Sequence, residues 1–207
     1  MRTRKKPAPV TRPGDKMMSF VLEKARAYDP DPPHNESVTN LALSLFDGLR
    51  ELHGYGSKER RLLEIAARLH DIGWSQVVLG KHHKAGARMI LELDIPGMGE
   101  KDRGVVALIA RYHTKALPDP SRHRRFAALS APRRRLVEWL SGILRVADSL
   151  DASHLGIVKK LSCTMNGRVI RLRLRVSGDC RTEVAKAEAK GKLLVLKTGR
   201  KIRYLCS

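Results

Sequence analysis

From about Lys16 to Leu155, apolar residues return every three or four positions, as in SVTNLALSLFDGLREL, RRLLEIAARL, AGARMILEL, GVVALIARY and RRLVEWLSGILRVADSL. That spacing keeps returning to one face of a helix, so it predicts a set of amphipathic helices sharing one core. Short turns carrying Gly or Pro, such as HGYGS, DIPGMG and ALPDP, separate them. The period then changes. In GRVIRLRLRVSG, Ile170, Leu172, Leu174 and Val176 alternate with Arg171, Arg173 and Arg175, the pattern of a strand with one buried and one basic face. RTEVAKAEAK predicts a short helix, and KLLVLKT and KIRYLC predict two further strands around Gly199. The expected fold class is mainly α, with a flexible basic tail over 1–16, a helical domain over 17–157 and a small basic α+β appendage over 158–207. No internal repeat is visible.

Several apolar faces end in residues that do not belong in a core. His34 opens a face that continues through Val38, Leu41, Leu45 and Leu49, and His70 extends that of Leu62, Ala66 and Leu69. His113 lies four residues after Ile109, and Asp148 lies four after Leu144 and eight after Leu140. Helical geometry turns each inward. One buried His is unremarkable, but a buried carboxylate must be paired or must hold a cation. Four helices carrying His or Asp in equivalent places suggest a shared divalent cation, with imidazole and carboxylate ligands that suit Mn, Fe, Co or Zn.

Charge changes the picture again. The 207 residues hold 41 Lys plus Arg against 21 Asp plus Glu, a formal net charge of +20, and the pI is near 10.5. Such a field attracts polyanions, whether nucleic acid, polyphosphate or phosphorylated nucleotides. Only 4% of residues are aromatic, so stacking platforms for single strands are scarce and binding would be directed at phosphate. No apolar run is long enough for a membrane span, and the basic start has no apolar segment after it to make a secretory signal. Cys163, Cys180 and Cys206 are odd in number and form no C-x-x-C pair, which argues against a disulfide framework or thiolate zinc site and leaves a reducing cytoplasm as the default compartment.

The segments LLEIAARLHDIG, HHKAGARMI, VALIARYHTKALP and ILRVADSLDASH, in register with His34, give the chain a recognisable likeness. It resembles the HD-domain superfamily of metal-dependent phosphohydrolases, and in particular the C-terminal HD region of the exopolyphosphatase/guanosine pentaphosphate phosphohydrolase family. The resemblance implies an HD-type helical bundle in which His34, His70, Asp71 and Asp148 hold one metal. It also implies that His83 and His113 complete a second site bridged by Asp71, with one or two divalent ions, Mn, Mg, Fe, Co or Zn. His83 is preferred to its neighbour His82 because His83, Lys84, Ala85 and Gly86 match the His-x-x-Gly spacing of dinuclear members, and His82 stays open. Ala85 stands where many members carry a further His. The N-terminal actin-like ATPase domain of that family, which holds its polyphosphate-cleaving site, is expected to be missing, so any hydrolysis falls to the HD site.

Hydrolysis of a phosphate ester or anhydride needs a nucleophile at neutral pH, and a metal lowers the pKa of bound water from about 15.7 toward about 7. Asp71, Lys84, Lys115 and Arg145 are the candidate catalytic groups, with Arg111 beside them for substrate and Asp151 and His154 as groups supporting the ligands or moving protons. Arg171, Arg173 and Arg175, with Lys197, Lys201 and Arg203, make a second candidate surface for substrate. The expected function is a standalone metal-dependent phosphohydrolase acting on a nucleotide, guanosine polyphosphate or polyphosphate. The alternatives are a non-catalytic module binding polyphosphate or nucleic acid, and a metal-dependent nuclease. A membrane partner is not expected, and an oligomer stays open.

Overall fold

The computed structural model describes residues 13–77 and 80–207. The helical part runs through α1 (Pro13–Tyr28), α2 (Pro32–Gly48), α3 (Arg50–His53), α4 (Ser57–Arg68), a 3₁₀ turn (Ile72–Gln76), α5 (His82–Glu92), α6 (Glu100–Arg111), α7 (Arg124–Ala127) and α8 (Ala131–Ser149). Their apolar faces meet as the periodicity predicts. α2 packs on α4 and α8, α4 on α6, and α6 on α5 and α8. Val38, Leu45, Leu63, Ile65, Ile109, Leu140 and Leu144 are fully buried between them.

Two local devices fix the entrance to the site. Asp31 caps α2 by accepting the backbone N–H of His34 at 3.1 Å, with Pro32 and Pro33 supplying a first turn that needs no amide donors. The buried Asp29 carboxylate accepts from Asn35 Nδ2 at 2.7 Å, and the same amide donates to the Arg68 carbonyl at 2.8 Å. The ends of α1 and α4 are thereby tied to the start of α2.

The C-terminal unit contains β1 (Val158–Asn166), β2 (Val169–Val176), α9 (Arg181–Lys190), α10 (Lys192–Thr198) and β3 (Lys201–Cys206). β1 and β2 form an antiparallel hairpin, and β3 joins β2 in parallel after the α9 and α10 crossover. The alternation in β2 holds: Ile170, Leu172 and Leu174 are buried, with Arg173 and Arg175 exposed and Arg171 partly so. β1 lies on α2, where a Cβ at Gly48 would overlap the Cys163 side chain. The expected architecture, mainly α with a small α+β appendage, is the one observed.

Three expectations change. KLLVLKT forms α10 rather than a strand, because Leu193 and Leu194 are buried and the Leu194 backbone comes to 3.2 Å of where a Cβ on Gly142 of α8 would stand. Gly199 is then not a turn between strands but the left-handed residue that ends α10, at φ 63°. The third sheet position belongs to β1, VKKLSCTMN, where Leu161, Cys163 and Met165 alternate with polar residues over only five positions and a register shift lies between Val158 and Lys160. Cys180 and Cys206 are joined in a disulfide, a single bridge that an odd cysteine count does not exclude, and Cys163 stays unpaired. Residues 1–12 of the expected basic tail lie outside the described residues. Among the described residues no helix is long and apolar enough to cross a membrane.

Candidate metal centre

α4 and α6 end in the same way, and the ends matter. His70 and His113 each stand two residues past the last residue of their helix. His70 Nδ1 lies 2.7 Å from the Ala67 carbonyl, and His113 Nδ1 lies 2.6 Å from the Ala110 carbonyl. A carbonyl can only accept, so Nδ1 carries the proton and Nε2 keeps its lone pair. His34 is held through Nδ1 as well, but by a carboxylate: its Nδ1 is 2.9 Å from Asp151 Oδ2, and Asp151 is held in turn by the Gly156 backbone N–H at 2.8 Å. Asp151, named from its spacing after Asp148, thus stands behind the His34 ring. Such partners behind the ring fix tautomer and orientation in metal-binding histidines.

The Nε2 atoms converge in two adjacent groups. The first is His34, His70 and Asp148, and the second is Asp71, His82 and His113; within each, the donor atoms lie within 4.8 Å of one another. Asp148 Oδ1 is 3.6 Å from His34 Nε2 and 3.9 Å from His70 Nε2. Asp71 connects the groups. Its Oδ2 is 3.5 Å from His70 Nε2, while its Oδ1 is 3.4 Å from His82 Nε2 and 3.6 Å from His113 Nε2.

Two buried atoms decide whether a cation fits. His70 Nε2 and Asp71 Oδ1 have no hydrogen-bond partner, although His70 is fully buried. An unpaired buried polar atom costs about 1–3 kcal/mol. A divalent cation between the groups would satisfy both, and a donor set of imidazole and carboxylate without thiolate suits such an ion. The residues present fit the group.

The ionisation states fall into two kinds. Burial disfavours a charge on His34, but the Asp148 and Asp151 carboxylates more than offset it and lift its pKa to about 10, so the ring is protonated between them, and a cation at Nε2 would have to displace that proton. Burial also pushes Asp148 upward, and His34, His113 and Lys190 together bring it well below the usual carboxylate range. Burial holds His113 down to about 4 and lowers His82, so both stay neutral, as ligands must.

The centre opens into a cavity of about 670 Å³ lined by His34, Asp71, His82, His113 and Asp148 and closed by Trp74, Thr114, His154 and Lys190. The structure brings His82, and not His83, into the second group. Trp74 stacks on the His82 ring at 4.1 Å, whereas His83 turns away and is buried with its Nδ1 unpartnered. Gly86, which the His-x-x-Gly spacing assigned to a site motif, packs against Gly73: a Cβ on Gly73 would overlap the His82 carbonyl.

The predicted cations are spread more widely. Arg145 is buried and spends its guanidinium on backbone, donating to the carbonyls of Tyr112 at 2.9 Å, Lys115 at 3.2 Å and Lys190 at 3.3 Å. It positions the segment after His113 and does not line the cavity. Lys115 has its side chain exposed, outside that lining, and Lys84 and Arg111 line a different cavity. Arg171, Arg173 and Arg175 lie on the outer sheet face. The cation at the centre is Lys190, whose Nζ is 2.9 Å from Asp148 Oδ2. Nothing in AKAEAKGK marks it, because it arrives on α9 from the far side of the chain. His154 stacks on His34 at 4.0 Å and lies 2.8 Å from Asp31 through Nδ1.

The family model described as Ppx/GppA phosphatase, domain III matches residues 18–187. The chain belongs to that family. The match takes in every residue of both groups, and it ends just before Lys190. A search of curated proteins finds no significant match. Membership in Ppx/GppA domain III links the chain to phosphatases, and the two groups make it a candidate metal binder.

Proposed function

We propose that this domain III chain is a metal-dependent phosphohydrolase of the HD type. It would cleave a phosphate ester or anhydride in a phosphorylated polyanion such as a nucleotide, a guanosine polyphosphate or polyphosphate. The observation that carries this reading is the convergence of His34, His70 and Asp148 with Asp71, His82 and His113 around buried atoms that have no other partner. His34, His70, Asp71 and Asp148 would hold one divalent cation, and Asp71, His82 and His113 a second. Bound there, the cations supply Lewis acidity and a water nucleophile at neutral pH.

The chain's own residues do the rest. Lys190 stands at the cavity rim with its ammonium on Asp148, placed to meet a phosphoryl oxygen as charge develops on it. Arg145 fixes the Lys190 carbonyl together with the segment behind His113, so cation and ligands keep their spacing. His154, half exposed and linked to Asp31, offers a group at the rim that can exchange a proton with a leaving oxygen.

One observation favours a second role. Arg171, Arg173, Arg175, Lys160, Lys201 and Arg203 share the outer sheet region, with Arg171 paired across to Arg203 and Lys160 to Arg175. None forms an ion pair among the described residues, where the Lys and Arg pairs lie elsewhere. This face would capture polyanions, including nucleic acid, with or without cleavage.

The test is phosphate or nucleotide release from polyphosphate, guanosine polyphosphates, common nucleotides and short RNA, using protein stripped by a chelator and then given Mn, Mg or Co. Release that requires the added cation is expected. No release from any substrate with any cation would reject catalysis and leave a polyanion-binding module, and release from RNA alone would make it a nuclease.

A further inference from the structure

A second cavity opens on the other side of α5 and α6, under the segment that carries α7. Its volume is about 490 Å³, and it shares no lining residue with the cavity of the metal centre. That size suits a small organic ligand. The rim carries six cations, Lys84, Arg88, Arg111, Arg122, Arg124 and Arg125, and no Asp or Glu lines it. None of the six is in an ion pair among the described residues. So many like charges around one groove repel each other until an anion enters.

The floor is of another kind. Ala87, Leu91, Ala107, Leu108 and Leu129 make it apolar, and a bare inorganic anion would leave that surface wet. Tyr112 also lines the groove, and its Oη is buried without a hydrogen-bond partner. Gly104 sits in mid-α6, where a Cβ would meet nothing within 4 Å. Glycine at such a position costs a helix about 1 kcal/mol relative to alanine, and nothing in the packing requires it. What its small size does is keep the groove wall low.

We propose that this groove binds an organic phosphate, a phosphorylated group joined to an apolar or flat body. Guanidinium groups meet phosphate oxygens in pairs, the aliphatic floor takes the body, and the Tyr112 phenol donates to an acceptor on it. The shared chemistry covers a nucleotide and an alkyl phosphate alike. The site is independent of the hydrolytic reading, because it uses none of the residues of the two metal-capable groups.

Calorimetric titration of the full chain in the presence of a chelator keeps the metal centre silent. Adenosine and guanosine monophosphates, octyl phosphate and inorganic phosphate serve as probes. Expected is a dissociation constant at least tenfold lower for one of the organic phosphates than for inorganic phosphate. Gly104→Leu, which fills the groove on a helix that tolerates leucine, should weaken that binding at least tenfold. Arg124→Ala with Arg125→Ala, at exposed positions, should do the same without touching the core, whereas Arg50→Ala, exposed and outside the groove lining, should leave it unchanged. A nucleotide that binds where octyl phosphate does not assigns a base pocket, and the reverse assigns an acyl-like body. Inorganic phosphate binding as tightly as every organic probe, or binding that survives both groove variants, would overturn the proposal.

Discussion

Three imidazoles of the centre are fixed through the ring nitrogen that faces away from it. His70 and His113 lean on carbonyls of their own helix ends, and His34 leans on Asp151. This sorts two neighbours that the sequence leaves unresolved. His82 and His83 fall about 100° apart on a helix, and spacing to Gly86 favours His83, which stands outside the second group, since Gly86 answers to packing against Gly73. His82→Ala is therefore expected to lower affinity for a divalent cation by about tenfold or more, whereas His83→Ala should change it little; equal losses in a metal titration would contradict the assignment. His53 gives a residue-scale test of stability. The Tyr55 N–H donates to its Nδ1 at 2.9 Å, so Nε2 carries the proton to the Phe46 carbonyl at 2.9 Å. Burial lowers its pKa. The unfolded chain then binds a proton that the folded chain refuses, so the stability due to neutral His53 is complete above its unfolded pKa of about 6.5 and is lost as pH falls below it. Urea unfolding at pH 7.5 and 5.5 should show a smaller loss in His53→Gln than in the wild type, and an equal loss would count against this.

At the scale of elements, the close approach of the 3₁₀ turn to α5 sets where His82 stands. Gly73→Ala forces its Cβ into the His82 carbonyl and is expected to cost about 1–3 kcal/mol, read as a lowered denaturant midpoint together with weaker metal binding. Arg145→Met keeps most of the volume but strips donors from three buried or half-buried carbonyls, for an expected loss of about 2–4 kcal/mol. An unchanged midpoint in either variant would show that the contact does not matter. The long helices are legible because their apolar faces repeat over three turns or more. KLLVLKT is not, because four consecutive apolar residues suit a helix and a strand equally. Only the neighbour decides, here α8 with the gap at Gly142. β1 is weakly marked for another reason: Leu161, Cys163 and Met165 alternate with polar residues over only five positions, and Lys159 with Lys160, where the register shifts, breaks the pattern before them.

At the scale of the molecule, the chain carries a net charge of +20, and among the described residues cations gather on the outer sheet face and around the groove beside α6, outside the lining of the centre. Polyanion binding should weaken steeply with salt, and replacing Arg171, Arg173 and Arg175 by Ala should shallow the slope of log affinity against log salt by about one per lost phosphate contact. An unchanged slope would place the binding face elsewhere. Most of the centre was legible, since His34, His70, His113 and Asp148 interrupt apolar faces and Asp71 follows His70. Lys190 was not, because it reaches Asp148 across 42 positions of sequence on a helix whose composition says only that it is polar. The candidate cations lie off the cavity of the centre for a related reason: adjacency along a helix puts Arg145 near the centre but does not say that its nitrogens are already spent on carbonyls.

The most direct test compares phosphate release by the wild type with that of the double variant His70→Ala, Asp71→Ala under the cation that supports activity, after circular dichroism has shown both to be folded. Loss of at least about a hundredfold is expected, because these residues carry the two unpartnered atoms at the middle of the centre. Release that persists at the wild-type rate in a folded double variant would show that the two groups are not the hydrolytic site.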